Sequence, residues 1–417
     1  MLAYACGVRA RRARPVSILL LSTALACDQA PALEVEQPAG VDCPFGPGAR
    51  ASETLGLSAA ARARLPLRHV LVLMQENRSF DHLLGHMRAL GRDVDGFTED
   101  FENPDGRGGR LAPAHAASTR AEPDLPHRWA DMHRAWNHGA MDGFFREAAR
   151  SGDGRRALGY LDERDLPFHY WLYGTFAMAD RAFSSVMGST WPNRDFLYAA
   201  TSDGVHDTDE RAIHVRTLFD LLDESGVSWA VYRNGAPHQR CIGWREGHVG
   251  LRPLARVFDD LAADTLPEVA FIDADYDDHP PLDVRFGEAW VRRLAIALFG
   301  SRAWPTTALV LLYDESGGFF DHVPPPRACL PSLAPRQLEF SLLGFRVPLV
   351  VVSPWARRGF VSHARHETTS VTRLVELVFD LPALTVRDAN TSALLDLFDF
   401  EAPPRLEVGE VPAAGAP

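Results

Sequence analysis

Residues 68–85 read RHVLVLMQENRSFDHLLG. Residues 70–74 are a short apolar run rich in β-branched side chains. Gln75, Glu76, Asn77, Arg78 and Ser79 follow, before Phe80, Leu83 and Leu84 recur at helical spacing. An apolar run of this length without alternation predicts a parallel strand buried on both faces, and the change of period predicts a helix just past its end. In open α/β sheets ligands collect beyond the carboxyl ends of strands, which places Glu76 and Asn77 where chemistry is done. The same residues also suit a plain helix start, with Asn77 or Ser79 as cap and Glu76 as an anion favoured by the helix dipole.

Working outward, residues 227–232, 269–272, 308–313 and 347–352 are further short apolar runs, and residues 217–224, 286–299 and 368–379 carry helical patterns. Strands alternating with helices predict an α/β fold, a mostly parallel central sheet with helices on both faces. The segments 93–122, 126–144 and 183–198 lack clean periodicity and read as irregular binding loops. No internal repeat is visible.

The run at 308–313 repeats the opening arrangement, ending in Asp314, Glu315, Ser316, Gly317 and Gly318. Glu76 and Asn77 with Asp314 and Glu315 would form an oxygen-rich site suited to a hard divalent cation such as Ca²⁺, Mg²⁺ or Mn²⁺, unless they are separate solvated loop acids. Gly188-Ser189-Thr190-Trp191-Pro192-Asn193-Arg194 presents a hydroxyl in a Gly- and Pro-bracketed turn. Thr190 is a poor nucleophile alone and a competent one beside a cation. His127 and His279, flanked by prolines, are the histidines best placed to contact a phosphoryl oxygen or protonate a leaving group.

The chain has 417 residues, 46% of them hydrophobic, and a formal net charge of −12. That is enough for one large core or two, and the acidic balance argues against a nucleic-acid surface. Its basic side chains apart from histidine are all arginine, which excludes a Schiff-base or P-loop lysine. Residues 1–27 have the composition of an export signal, with Arg9, Arg11, Arg12 and Arg14 before an apolar run too short to span a bilayer. Cys27 after Leu25-Ala26 fits a lipidated lipoprotein cysteine that would anchor the chain to a membrane. Ala24 stands where Leu is usual, which keeps ordinary cleavage open beside lipidation. Arg11-Arg12 admits a twin-arginine route. Residues 28–65 read as a linker and lead-in loop, 66–400 as the catalytic body and 401–417 as a tail. Beyond Cys27, Cys43, Cys241 and Cys329 allow one disulfide and require none.

Together, HVLVLMQENRSFDHLLG, HRWADMHRAWNHGAMDGF, LPFHYWLYGTFAMADRAFSSVMGSTWPNRDFLYAAT, YDESGGFFDHVPPP and GFRVPLVVVSPWARRGFV occur in one order over most of residues 66–380. In that order they resemble the bacterial phosphoesterase family of phospholipases C and acid phosphatases, within the alkaline-phosphatase-like superfamily. The resemblance implies a metal-binding Glu-Asn at Glu76-Asn77 and Asp-Glu at Asp314-Glu315, with the cation left open among Ca²⁺, Mg²⁺, Mn²⁺ and Zn²⁺. It implies a hydroxyl nucleophile at Thr190, and phosphate-contacting histidines at His127 and His279. The implied substrate is a phospholipid or another phosphate ester, cleaved by an exported enzyme through a phospho-threonine.

Two positions depart from the family pattern. Ser316 stands in DESGG where the family writes DEHGG, and Thr368 in ETTS where it writes DHTS. These replacements keep open an altered substrate preference, a phosphatase acting on monoesters, and a non-catalytic surface lipoprotein with a degenerate site.

Overall fold

The computed structural model describes residues 37–416 except 209, 236–237 and 245–246. The export-signal stretch and Cys27 lie outside the described residues. The eight strands of the central sheet are β1 (His69–Gln75), β2 (Ala177–Ala179), β3 (Trp229–Arg233), β4 (Leu251–Pro253), β5 (Val269–Ile272), β6 (Thr307–Tyr313), β7 (Leu349–Val352) and β8 (Val361–Ser362), in the order β8-β2-β7-β6-β1-β5-β3-β4. β1 lies between β6 and β5 and is parallel to both, with Val72 opposite Val310 and Phe271. β5 to β3, β3 to β4 and β2 to β8 are also parallel. Only β7 runs the other way, antiparallel to β6 and to β2.

Because successive strand residues point to opposite faces, the apolar runs split into two cores. Leu71, Leu73, Leu309, Leu311 and Ile272 pack with helices α2 (Pro167–Thr175), α5 (Arg256–Ala263) and α6 (Val284–Phe299). Val70, Val72, Met74, Val310, Leu312 and Phe271 pack with α3 (Thr190–Ala199), α4 (Leu218–Glu224) and α7 (Thr368–Phe379). Covering both faces requires apolar residues at every strand position, which is why these strands show no alternation. Thr217 caps α4 by accepting from the Asp220 N–H, so the pattern read over 217–224 is a capped helix.

Two segments read as irregular are helical. Thr190–Ala199, which begins inside the 183–198 stretch and ends one residue past it, forms α3, and Trp129–Trp136 forms α1. Pro192 sits in the first turn of α3, where its missing N–H leaves no bond unmade, and α3 is buried almost all round, so no amphipathic period marks it. α1 is only eight residues long and buries Met132 and Ala135.

Residues 37–65 and 402–416 carry bonds to the body. A Cys43–Cys329 disulfide joins Cα atoms 5.9 Å apart, and Asn390 Nδ2 donates to the Phe45 carbonyl at 2.7 Å. At the other end Trp304 Nε1 donates to the Leu406 carbonyl at 3.0 Å, and the Gly415 N–H to Glu288 Oε2 at 2.6 Å. Among the described residues no helix is long and apolar enough to cross a membrane.

Candidate active site

Because β1, β3, β5 and β6 are mutually parallel, their carboxyl ends share one edge of the sheet. Glu76 and Asn77 leave β1, Asp314 and Glu315 leave β6, Asp273 to His279 leave β5, and His238 follows β3. Above this edge lies a cleft of about 460 Å³, bordered by Glu76, His127, Thr190, Trp191, His238 and His279. Asn77, fully buried and bonded to Thr190 of the cleft wall, holds a left-handed backbone conformation, φ 67°, that asparagine tolerates better than most residues.

Thr190 is the first residue of α3, at a helix N-terminus, where backbone N–H groups and the dipole favour an anion. Asn193 fixes the preceding turn. Its Oδ1 accepts the Val186 N–H at 2.8 Å, and its Nδ2 donates to the Val186 and Ser189 carbonyls at 3.1 and 3.2 Å. The Thr190 hydroxyl then donates to Asn77 Oδ1 at 3.4 Å, and Asn77 Nδ2 donates to His127 Nε2 at 3.2 Å. The other ring nitrogen, Nδ1, donates to the Leu125 carbonyl at 2.7 Å. That leaves Nε2 as the acceptor, so the network fixes the tautomer of His127. His279 faces His127 with ring centroids 5.9 Å apart, its Nδ1 held by the Pro280 carbonyl at 2.5 Å.

The charges are unevenly compensated. Arg194, one turn into α3 and fully buried, bridges Glu76 Oε1 at 2.7 Å and Asp273 Oδ1 at 2.9 Å. Burial opposes ionisation of Glu76, but His238, Arg194 and His279 outweigh it and bring the carboxyl down to about 2. Asp314 has no such partner. Burial and then the charge of Glu76 push it up to about 7, while burial and Asp314 push Glu315 well up. Among the described residues, Asp314 Oδ2 and Glu315 Oε1 are buried without a hydrogen-bond donor. His279 moves the other way: burial alone would lower it, yet Glu76, the Pro280 carbonyl, Asp124 and Asp277 raise it.

Two buried carboxylate oxygens lacking donors, next to an asparagine amide oxygen and a third carboxylate, are the oxygen donor set a hard cation requires, so the residues fit one. The geometry departs from the expected set of four in one respect. Glu76 is turned to Arg194, and at the cleft, among the described residues, the side chains whose ligand atoms lie within 4.8 Å of one another are instead Asp124, His127 and His279, and Glu76, His238 and Asp277.

Arg194, Asp273 and His238 are site residues that the sequence reading did not single out as functional. His238 carried the signal used for His127 and His279, a histidine beside a proline, and Asp273 is an acid directly after β5. Neither of the two departures lines the cleft. Ser316 Oγ is directed at Met132 Sδ at 3.5 Å, and Thr368 Oγ1 accepts the Ser185 N–H at 3.2 Å.

The Phosphoesterase family profile matches residues 67–382. The chain is similar to phospholipase C B of Mycobacterium tuberculosis, 31% identical over 81% of this chain and 78% of that protein. It is 30% identical to the non-hemolytic phospholipase C of Burkholderia pseudomallei over 80% of this chain, and spans 59% of that protein's length. Similarity extends to non-specific phospholipase C5 of Arabidopsis thaliana, 31% identical over 78% of this chain and 72% of the plant protein.

Proposed function

The chain belongs to the Phosphoesterase family, and from that premise we propose that it is an exported, cation-dependent phosphoesterase that cleaves phospholipid phosphodiesters as a phospholipase C. The observation that carries the reading is the Thr190 hydroxyl bonded to Asn77 at the cleft floor, beside the donorless oxygens of Asp314 and Glu315. Asn77, Asp314, Glu315 and the second oxygen of Glu76 would hold the divalent cation, which when bound lowers the pKa of an adjacent hydroxyl and neutralises phosphoryl charge.

The chain's own groups then divide the work. Thr190 Oγ1 loses its proton to cleft water and attacks phosphorus, and the bond from phosphorus to the leaving alcohol oxygen breaks. His279, whose cationic form Glu76 favours against burial, gives that oxygen its proton. His127 and the first turn of α3 border the equatorial oxygens, where charge accumulates. Water next attacks the phosphorus of the phospho-threonine and gives a proton to His279; the phosphorus–Oγ1 bond breaks, Thr190 Oγ1 takes back a proton from cleft water, and the phosphorylated head group leaves. Export rests on the composition of residues 1–27, and the Cys43–Cys329 disulfide supports an oxidising compartment.

Phosphatidylcholine vesicles and p-nitrophenyl phosphate, compared on one preparation with each of Ca²⁺, Mg²⁺, Mn²⁺ and Zn²⁺, test the reading. Diacylglycerol release faster than monoester cleavage is expected. Monoester cleavage alone would reassign the protein to the acid phosphatases, and turnover of neither by metal-loaded protein would favour a binding role.

A further inference from the structure

Behind the cleft, on the other side of residues 76–79, lies a second pocket of about 400 Å³ that shares no lining residue with it. Its floor is Arg78, 1% exposed. Among the described residues this guanidinium bonds only neutral acceptors: Nε and Nη2 donate to the Asp278 carbonyl at 3.1 and 2.8 Å, and Nη1 to His82 Nε2 at 3.2 Å. His82 can accept because its Nδ1 donates to the Gly159 carbonyl at 2.7 Å. The Asp278 carboxylate is turned away to Tyr313 and Gln75. Both terminal nitrogens of Arg78 therefore keep an uncommitted N–H. A buried charge normally has a counter-charge, and this one has none in direct contact.

The rest of the pocket has the same sign and an apolar lining. Arg120, Arg155 and Arg156 join Arg78 against only Glu122 and Asp153, a net +2 in a chain of −12. The rim arginines are loosely paired. Arg120 is 3.8 Å from Asp283, Arg155 is 3.9 Å from Asp153, and Arg156 donates to the Pro123 and Asp153 carbonyls. Phe319 stacks on His82 at 3.8 Å between centroids and lies 4.9 Å from the Arg78 Cζ. Ala114, Ala116 and Ala117 form the facing wall. They belong to the irregular 93–122 segment, which the cleft leaves unused.

We propose that this pocket binds an oxyanion carried on a small apolar body, with the anion on Arg78 and the body between Phe319 and the alanine wall. A bare phosphate would satisfy the guanidinium and leave the apolar wall and most of the volume unfilled, so an amphiphile fits better. The pocket lies behind the catalytic strand end, and its occupant is independent of which ester the cleft hydrolyses.

Calorimetric titration of the full-length, metal-loaded protein with hexylphosphonate, hexanoate and inorganic phosphate tests this. Arg120→Glu/Arg155→Glu reverses charge at two exposed positions, and Ala117→Trp fills the pocket from an exposed position. Each is expected to weaken the pocket's binding of hexylphosphonate or hexanoate by about tenfold or more, with unchanged turnover of a chromogenic phosphodiester. Tighter binding of the phosphonate identifies a phosphate-bearing ligand, and tighter binding of hexanoate a carboxylate. Wild-type affinity for both amphiphiles in both variants overturns the proposal, as does inorganic phosphate binding as tightly as hexylphosphonate.

Discussion

At the scale of single residues the account turns on His279 and Arg194. The cationic form of His279 is favoured by Glu76, so protonation of the leaving group is lost as pH rises through its raised pKa. His279→Gln should therefore abolish the alkaline limb of the kcat profile. It should cost about 100-fold on an alkyl leaving group and much less on p-nitrophenolate, which needs no proton; an equal loss on both would remove His279 from that role. Arg194→Met should leave Glu76 and Asp273 buried without their cation, a destabilisation of about 3–5 kcal/mol measurable by urea unfolding. The place of Glu76, Asn77, Asp314 and Glu315 at two strand ends was readable, because each pair directly follows an unbroken apolar run. The pairing of Arg194 with Glu76 was not, because it depends on where the first turn of α3 is set down, which local sequence does not encode.

At the scale of elements, the site exists because four parallel strands end together and α3 starts over them. Gly317 shows how tightly these ends are fitted. Its φ is +61°, and an added Cβ would lie 2.2 Å from the Asn77 carbonyl oxygen. Gly317→Ala should thus force Asn77 away from Thr190 and reduce kcat by at least about tenfold while the fold persists, checked by activity beside near-UV circular dichroism. The central strands were legible because burial on both faces leaves an unbroken apolar run. Not legible were the antiparallel sense of β7, since direction leaves no trace in such a run; the short strand β2 and the edge strands β4 and β8; helix α1; and helix α3, whose all-round burial erases the period that marks surface helices.

Over the whole molecule, the two ends of the described chain are tied to the body by different means. The Cys43–Cys329 bridge spans 286 residues, and its reduction should cost about 2–4 kcal/mol, seen as a lower Tm with reductant that Cys43→Ser reproduces without it. Glu288, which accepts from the Gly415, Phe168 and His169 N–H groups, is pushed up to about 7 by burial despite those bonds. A carboxyl raised in the folded state binds its proton more tightly there than when unfolded. Its contribution to stability is full below the ordinary glutamate range and falls as pH rises to about 7. The decline of Tm over that window should be shallower in Glu288→Gln.

All of this converges on one atom, Thr190 Oγ1. Acid-quenching the metal-loaded protein during turnover of a phosphodiester, then mapping its peptides by mass spectrometry, asks directly whether that atom carries the phosphoryl group. The account predicts a modified peptide containing Thr190, absent from Thr190→Ala, which is inactive. Turnover by Thr190→Ala at the wild-type rate, with no phosphorylated Thr190 peptide from wild type, would contradict it.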